Sequence, residues 1–219
     1  DLPVEPEAAQ FVDQRRASLA SADHDDPFHD APVALVPCKD ASYVITETQR
    51  KNRECIWMTI SVGGRLPDAA LLKQGADGPE TVQLNDYIKG RKVALFALPG
   101  AFTGPCSTAH LPSFIRTADD FRSKGVDEII CVAVNDPFAL NAWAESTGAS
   151  EAGITMLADS GAELTKALGM EFTAPPIGLY DRSNRYAVIL EDGEITHAKI
   201  DEAGVCDVSR GEHLLAEMG

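Results

Sequence analysis

The chain is 219 residues long, 44% hydrophobic and 6% aromatic, which suits one domain, or a domain with an appendage, able to bury its own core. Nineteen basic residues against 34 acidic ones give a formal net charge of −15, with no basic-aromatic stripe, so nucleic acid and anionic lipid are poor partners. No apolar run approaches the ~20 residues of a membrane-spanning helix.

Residues 1–56 form an acidic N-terminal extension, with the run "DHDDPFHD" at 23–30. "PEAAQFVDQRRASLA" at 6–20 reads as a short helix, and "VALV" and "SYVIT" around "PCKDA" read as a small hairpin. The segment is too acidic for an intact transit peptide. A disordered arm, a packed appendage and a partner-binding element all fit its composition.

From about Trp57 to Gly219 the pattern becomes regular. "VALFAL" (93–98) and "IICVAV" (129–134) are continuous apolar runs, as expected of strands buried on both faces. Between them Leu111, Phe114, Ile115, Ala118 and Phe121 recur at helical spacing, and Lys124-Gly125 is a helix stop. This is a βαβ unit. It puts Cys106 in the first turn of a helix, just past the C-terminal end of a central strand, where open α/β sheets bind ligands. A helix over 137–148, a strand over 154–158 and a helix over 161–169 follow. "RYAVIL" and "EITHAKI" flank the hairpin signal "EDG", and a helix over 209–218 closes the chain. The predicted architecture is α/β: a central mixed sheet with helices on both faces.

The five cysteines, Cys38, Cys55, Cys106, Cys131 and Cys206, are odd in number and widely spaced, with no CxxC. That argues against a disulfide framework or a zinc ribbon and for a reducing compartment, the cytoplasm or an organelle matrix. In "PGAFTGPCSTAH" (99–110) one cysteine follows Thr-Gly-Pro at a strand-to-helix turn. The thiolate is the nucleophilic form of a cysteine, and a helix N-terminus favours an anion. The hydroxyl of Thr103 is within reach of the same sulfur if it turns inward. Against this stands a buried, inert thiol beside ordinary capping residues. The residues alone leave both readings open.

The segment "PGAFTGPCSTAHLPSF" resembles the active-site segment of the peroxiredoxins, specifically the type II or peroxiredoxin-5-like group, whose pattern Pro-x-x-x-Thr/Ser-x-x-Cys is met by Pro99, Thr103 and Cys106. "SKGVDEIICVAVNDPFALNAW" (123–143) and "DRSNRYAVILEDG" (181–193) resemble the same group in the same order, so the likeness covers about 57–219. It implies a thioredoxin-like fold and thiol-dependent reduction of hydrogen peroxide and organic hydroperoxides through a cysteine sulfenic acid, without metal, haem or flavin. By that resemblance Cys106 is the peroxidatic nucleophile, Thr103 a hydrogen-bond partner of thiolate and peroxide, Pro99 a shield against water and Arg185 the family's arginine. His110 matches a histidine of the group, a solvated helix histidine being the alternative, and Arg182 reads as a surface charge.

The candidate resolving thiols are Cys206, placed loosely as in animal-type members, and Cys131, placed as in plant-like members; the other route is one-cysteine chemistry, in which an external thiol attacks directly, and it ranks with Cys206 ahead of Cys131. Cys38 and Cys55 have no counterpart. Thioredoxin, glutaredoxin or glutathione is the implied reductant and a homodimer the implied assembly. A peroxide sensor or adaptor that relays oxidation to a protein partner is the alternative function. One departure is visible: Pro105 directly before Cys106 removes a backbone N–H from the site.

Overall fold

The structure, a computed structural model, describes residues 60–219; the helix and hairpin expected within 6–46, and Cys38 and Cys55, lie outside the described residues. The apolar runs become β3 (Lys92–Leu98) and β4 (Glu128–Ala133), paired in parallel, with β5 (Ile154–Ala158) parallel on the far side of β4. They sit at the middle of a seven-stranded sheet. Its left edge is a hairpin of β1 (Ala70–Gly75) and β2 (Gly78–Gln83), with β1 antiparallel to β5. Its right edge is β8 (Tyr186–Glu191) and β9 (Glu194–Ile200), giving the order β2-β1-β5-β4-β3-β8-β9. The Asp192-Gly193 turn between β8 and β9 takes positive φ at both residues, 49° and 78°, as a tight hairpin of matching twist requires.

Period-two alternation divides the core. Ala94, Phe96 and Leu98 of β3, with Ile129, Cys131 and Ala133 of β4, face one layer; Val93, Leu95 and Ala97, with Ile130 and Val132, face the other. In chain order the helices are α1 (Leu84–Ile88), α2 (Leu111–Ser123), α3 (Pro137–Thr147), α4 (Glu163–Ala167) and α5 (Gly211–Glu217). α2, α3 and α5 cover the Phe96 face, and α1 and α4 the Leu95 face. Asp136 caps α3 by accepting from the Ala139 N–H at 2.8 Å, and Gly148 ends it with φ 78°.

Three features were not foreseen. The β1–β2 hairpin escapes a pattern search because β2 is mostly exposed and shows no alternation. A separate ribbon, β6 (Glu171–Ala174) and β7 (Leu179–Ser183), stands outside the main sheet with a 3₁₀ turn at Pro175–Ile177. The helix expected over 161–169 is shorter: Ala162 takes φ 56°, and the buried Asp159 carboxylate accepts the Leu164 and Thr165 N–H groups at 3.3 and 2.9 Å. Among the described residues no helix is long and apolar enough to cross a membrane.

Candidate active site

The site is built at the C-terminal end of β3. After Leu98 the chain turns through Pro99–Phe102, then winds into a helix whose wide turn at Cys106–His110 carries the i→i+5 bond from Leu111 N–H to Cys106 C=O. The widened turn falls just before Pro112, which has no N–H to continue the ladder. Gly100 is required by close approach: a Cβ there would lie 2.9 Å from Arg182 Nη1 and 3.0 Å from Asn135 Oδ1. Phe102 holds φ 59° while 63% exposed, a strained conformation for a bulky residue at the rim of a site.

Cys106 is fully buried. Arg185, between β7 and β8, donates from Nη2 to Cys106 Sγ at 3.2 Å and from Nη1 to the Val205 carbonyl at 3.0 Å. Its Nε is buried without a partner, so one donor of a permanently charged fork is uncommitted beside the sulfur. Arg185, Thr103 and Pro99 line one cleft of about 390 Å³ together with Pro105, Ile177 and Leu179, so the ribbon that the sequence did not reveal forms its outer wall. Trp143 donates to Ser107 Oγ at 3.0 Å, tying α3 to the turn that holds the cysteine.

The structure corrects two expectations and excludes one of the two readings of His110. The Thr103 hydroxyl does not turn to the sulfur but donates to the Gly100 carbonyl at 2.9 Å, which leaves its oxygen as an acceptor toward the cleft. Arg182 is not a surface charge: it is half-buried and donates from Nη1 to the Val134 carbonyl, bracing the Gly100 turn. His110 is not solvated. It is fully buried between Phe96 and Phe114, with ring centroids 5.4 and 5.7 Å away, and its Nε2 lies 3.0 Å from the Ser209 carbonyl. Burial, aided by the charge of Arg185, pushes its pKa down to about 4, against the opposing pull of the Ser209 bond.

A testable pH dependence follows for His110. Its depressed folded-state pKa means that, between about pH 6.5 and 4, the unfolded chain binds the extra proton and the folded chain does not. Stability is therefore lost as pH falls through that window, by about 3 kcal/mol for this group when the window is crossed. Urea unfolding at about pH 7 and about pH 4 should show His110→Gln losing less stability than the wild type. Equal losses would contradict it.

The remaining thiols differ in access. Cys131 is fully buried in β4, and burial first, then the neighbouring Cys106, push its thiol pKa up. Cys206, in the 201–210 loop, is half-buried; burial raises its pKa while Arg185 and Arg210 pull the other way. Among the described residues no cluster of three or more His, Cys, Asp or Glu side chains is placed to hold a metal.

The Redoxin family model matches residues 61–215. A chloroplastic peroxiredoxin-2E-2 of Oryza sativa subsp. japonica is 46% identical over 161 residues, 72% of either chain. The crystal structure of reduced Prx3 in complex with hydrogen peroxide from Vibrio vulnificus superimposes with a TM-score of 0.69 at 42% identity, covering 74% of this chain and all of that one. Peroxiredoxin 5 from Alvinella pompejana gives a TM-score of 0.64 at 31% identity over 73% of this chain and 97% of its own. With a cysteine at a helix start and an arginine on its sulfur, the chain belongs to the Redoxin family as a thioredoxin-fold peroxiredoxin of the type II, peroxiredoxin-5-like group, a thiol-dependent peroxidase.

Proposed function

We propose that Cys106 is the peroxidatic nucleophile, acting on hydrogen peroxide and small organic hydroperoxides. The observation that carries this is the buried Arg185 guanidinium at 3.2 Å from Cys106 Sγ, with Nε uncommitted. The thiolate attacks the terminal peroxide oxygen; the S–O bond forms as the O–O bond breaks, and the departing alkoxide or hydroxide takes a proton to leave as alcohol or water. Charge moves from sulfur to the leaving oxygen, and the free donor of Arg185 meets it there. Thr103 Oγ1 accepts the peroxide O–H and orients it, and Pro99 keeps bulk water off the sulfur. Pro105 contributes no N–H, so Arg185 carries more of the charge stabilisation. The product on the protein is the Cys106 sulfenic acid.

Cys206 is the resolving thiol in this reading. It is half-exposed and follows Val205, whose carbonyl Arg185 holds, whereas Cys131 is sealed in the middle of the sheet. Attack by Cys206 forms the S–S bond, breaks the S–O bond and releases water. A dithiol protein of the thioredoxin or glutaredoxin class, or glutathione, then returns both sulfurs to thiols. The rice relative is described as chloroplastic, which supports an organelle location. The group's homodimer is the expected assembly, and the domain is taken to run from about 57 to 219.

The test is a single turnover of the reduced protein with one equivalent of hydrogen peroxide, followed by intact mass. Wild type and Cys131→Ser should lose two hydrogens as the disulfide forms, while Cys206→Ser should stop at the sulfenic acid. An internal disulfide that survives in Cys206→Ser and vanishes in Cys131→Ser would move the role to Cys131. Absence of a disulfide in every protein would mean that an external thiol attacks the sulfenic acid directly.

A further inference from the structure

Around Cys206 stands a buried polar network that the peroxide chemistry does not use. Asp201, directly after β9, is only 6% exposed. Its carboxylate accepts three hydrogen bonds, from the Ser209 N–H at 3.1 Å, the Asp207 N–H at 3.2 Å and the Ser209 hydroxyl at 2.6 Å. All three donors lie beyond Cys206, so one carboxylate closes the 201–210 loop on itself around that thiol.

The closed loop is held from outside as well. The Ser209 hydroxyl has given its proton to Asp201, so its oxygen acts as an acceptor toward His110 Nε2 at 3.1 Å; the Ser209 carbonyl accepts from the same nitrogen at 3.0 Å. Both partners are acceptors, so the proton of the neutral imidazole sits on Nε2, in keeping with a buried Nδ1 that has no partner. His110 ends the wide turn that begins at Cys106. From the other side, Arg185 holds the Val205 carbonyl, Arg210 donates twice to the Cys206 carbonyl at 3.1 and 2.6 Å, and the Asp201 N–H donates to the Arg185 carbonyl at 3.0 Å.

Cys106 Sγ is engaged by Arg185, and both cysteines are free thiols. A disulfide needs the two sulfurs about 2.05 Å apart. The backbone on both sides of Cys206 is bonded in place, so a shift of that backbone toward Cys106 works against those hydrogen bonds. Buried hydrogen bonds that share partners resist opening more than the separate bonds suggest.

We infer that Asp201, with Ser209 and His110, is a latch on the Cys206 loop: closed, it withholds the Cys206 thiol, and its release sets the pace at which Cys206 attacks the Cys106 sulfenic acid. The three are positioning residues, and the inference rests on the reading of Cys206 as the resolving thiol. The latched step forms the Cys106–Cys206 bond, breaks the sulfenic S–O bond and expels water, as above. Its consequence is a defined lifetime for the sulfenic acid, during which an external thiol or a second peroxide competes for it.

The first arm of the test needs no peroxide. In a Cys106→Ser background, Cys206 is labelled with N-ethylmaleimide across pH, and the rate is read at its high-pH plateau, where thiolate fraction no longer matters. Asp201→Asn removes the latch charge, and Ser209→Ala removes its hydroxyl while keeping that charge. Both should raise the plateau rate about tenfold, the worth of one hydrogen bond to a charged group. Cys131, sealed in β4, should stay unlabelled. An unchanged Cys206 rate in both variants overturns the latch, and so does a parallel rise at Cys131, which reports general loosening.

The second arm keeps Cys106 and follows one equivalent of hydrogen peroxide. The disulfide phase should quicken about tenfold in Asp201→Asn, with the sulfenic-acid phase read separately in the same trace. Faster labelling with an unaltered disulfide phase overturns the latch as the gate. A wild type that never forms the Cys106–Cys206 disulfide refutes the resolving reading instead, and the labelling arm then decides the latch without it.

Discussion

Serine at position 106 should reduce peroxidase turnover by at least about 10³-fold, the order expected when a covalent nucleophile is removed. Sulfur is the atom that accepts the peroxide oxygen, and the serine hydroxyl is neither ionised near neutral pH nor able to hold a sulfenic oxidation state. The substitution removes little else. Cys106 packs in the Phe96 face of the core with Leu111 and Phe114, which keep their places, and Arg185 retains its bond to Val205. Peroxide consumption with a thiol reductant in excess is the measurement, with a thermal melt alongside to show that the fold persists. Turnover within tenfold of wild type would sink the assignment of Cys106. Oxidation would then have to fall on another of the five cysteines.

Arg185→Ala should slow the oxidation of Cys106 by about 10²–10³-fold, the range for losing one fixed donor to a developing anion. Arg185 touches the sulfur in the resting site and, in the proposed mechanism, meets the leaving oxygen in the transition state, so both contributions would vanish together. The decisive measurement is the second-order rate of the first phase in stopped flow with hydrogen peroxide. Arg185→Lys separates charge from geometry: it keeps the cation but loses the fork that spans Cys106 Sγ and the Val205 carbonyl. An intermediate rate for lysine is expected. A rate for Arg185→Ala equal to wild type would take the arginine out of the mechanism. A lysine variant as slow as alanine would place the effect in the fork and not in the charge.

Much of the scaffold was readable from the chain. The uninterrupted runs "VALFAL" and "IICVAV" mark strands covered on both faces, and the alternation of Phe96 and Cys131 against Leu95 and Ile130 is what those runs become. Local chemistry told where elements begin and end: Asp136-Pro137 and Gly148 bound α3, and Asp192-Gly193 turns β8 into β9. Each of these signals works within a few residues, through backbone geometry or a nearby hydrogen bond. Elements without a buried face were silent. The β6–β7 ribbon has a single buried residue, Ser183, so no period distinguishes it from a loop, yet it walls the cleft.

The local pattern Pro99-x-x-x-Thr103-x-x-Cys106 was enough to point to the reactive segment and to Cys106 at a helix start. The partners were a different matter, because they arrive from far along the chain. Arg185 stands 79 positions from the cysteine whose sulfur it touches, and Ser209 stands 99 from the histidine it holds. A charge, a hydroxyl or an imidazole has no intrinsic burial: Arg182, which reads as a surface cation, and His110, which reads equally well as a solvated one, are drawn inward by carbonyls from other elements. Spacing along the chain therefore determined the strands, the caps and the place of Cys106 at a helix start. Only the closing of the sheet, which brings the ends of β3 and β4 and the 201–210 loop together, decided what surrounds the sulfur, because desolvation and long-range hydrogen bonds exist once the chain has folded.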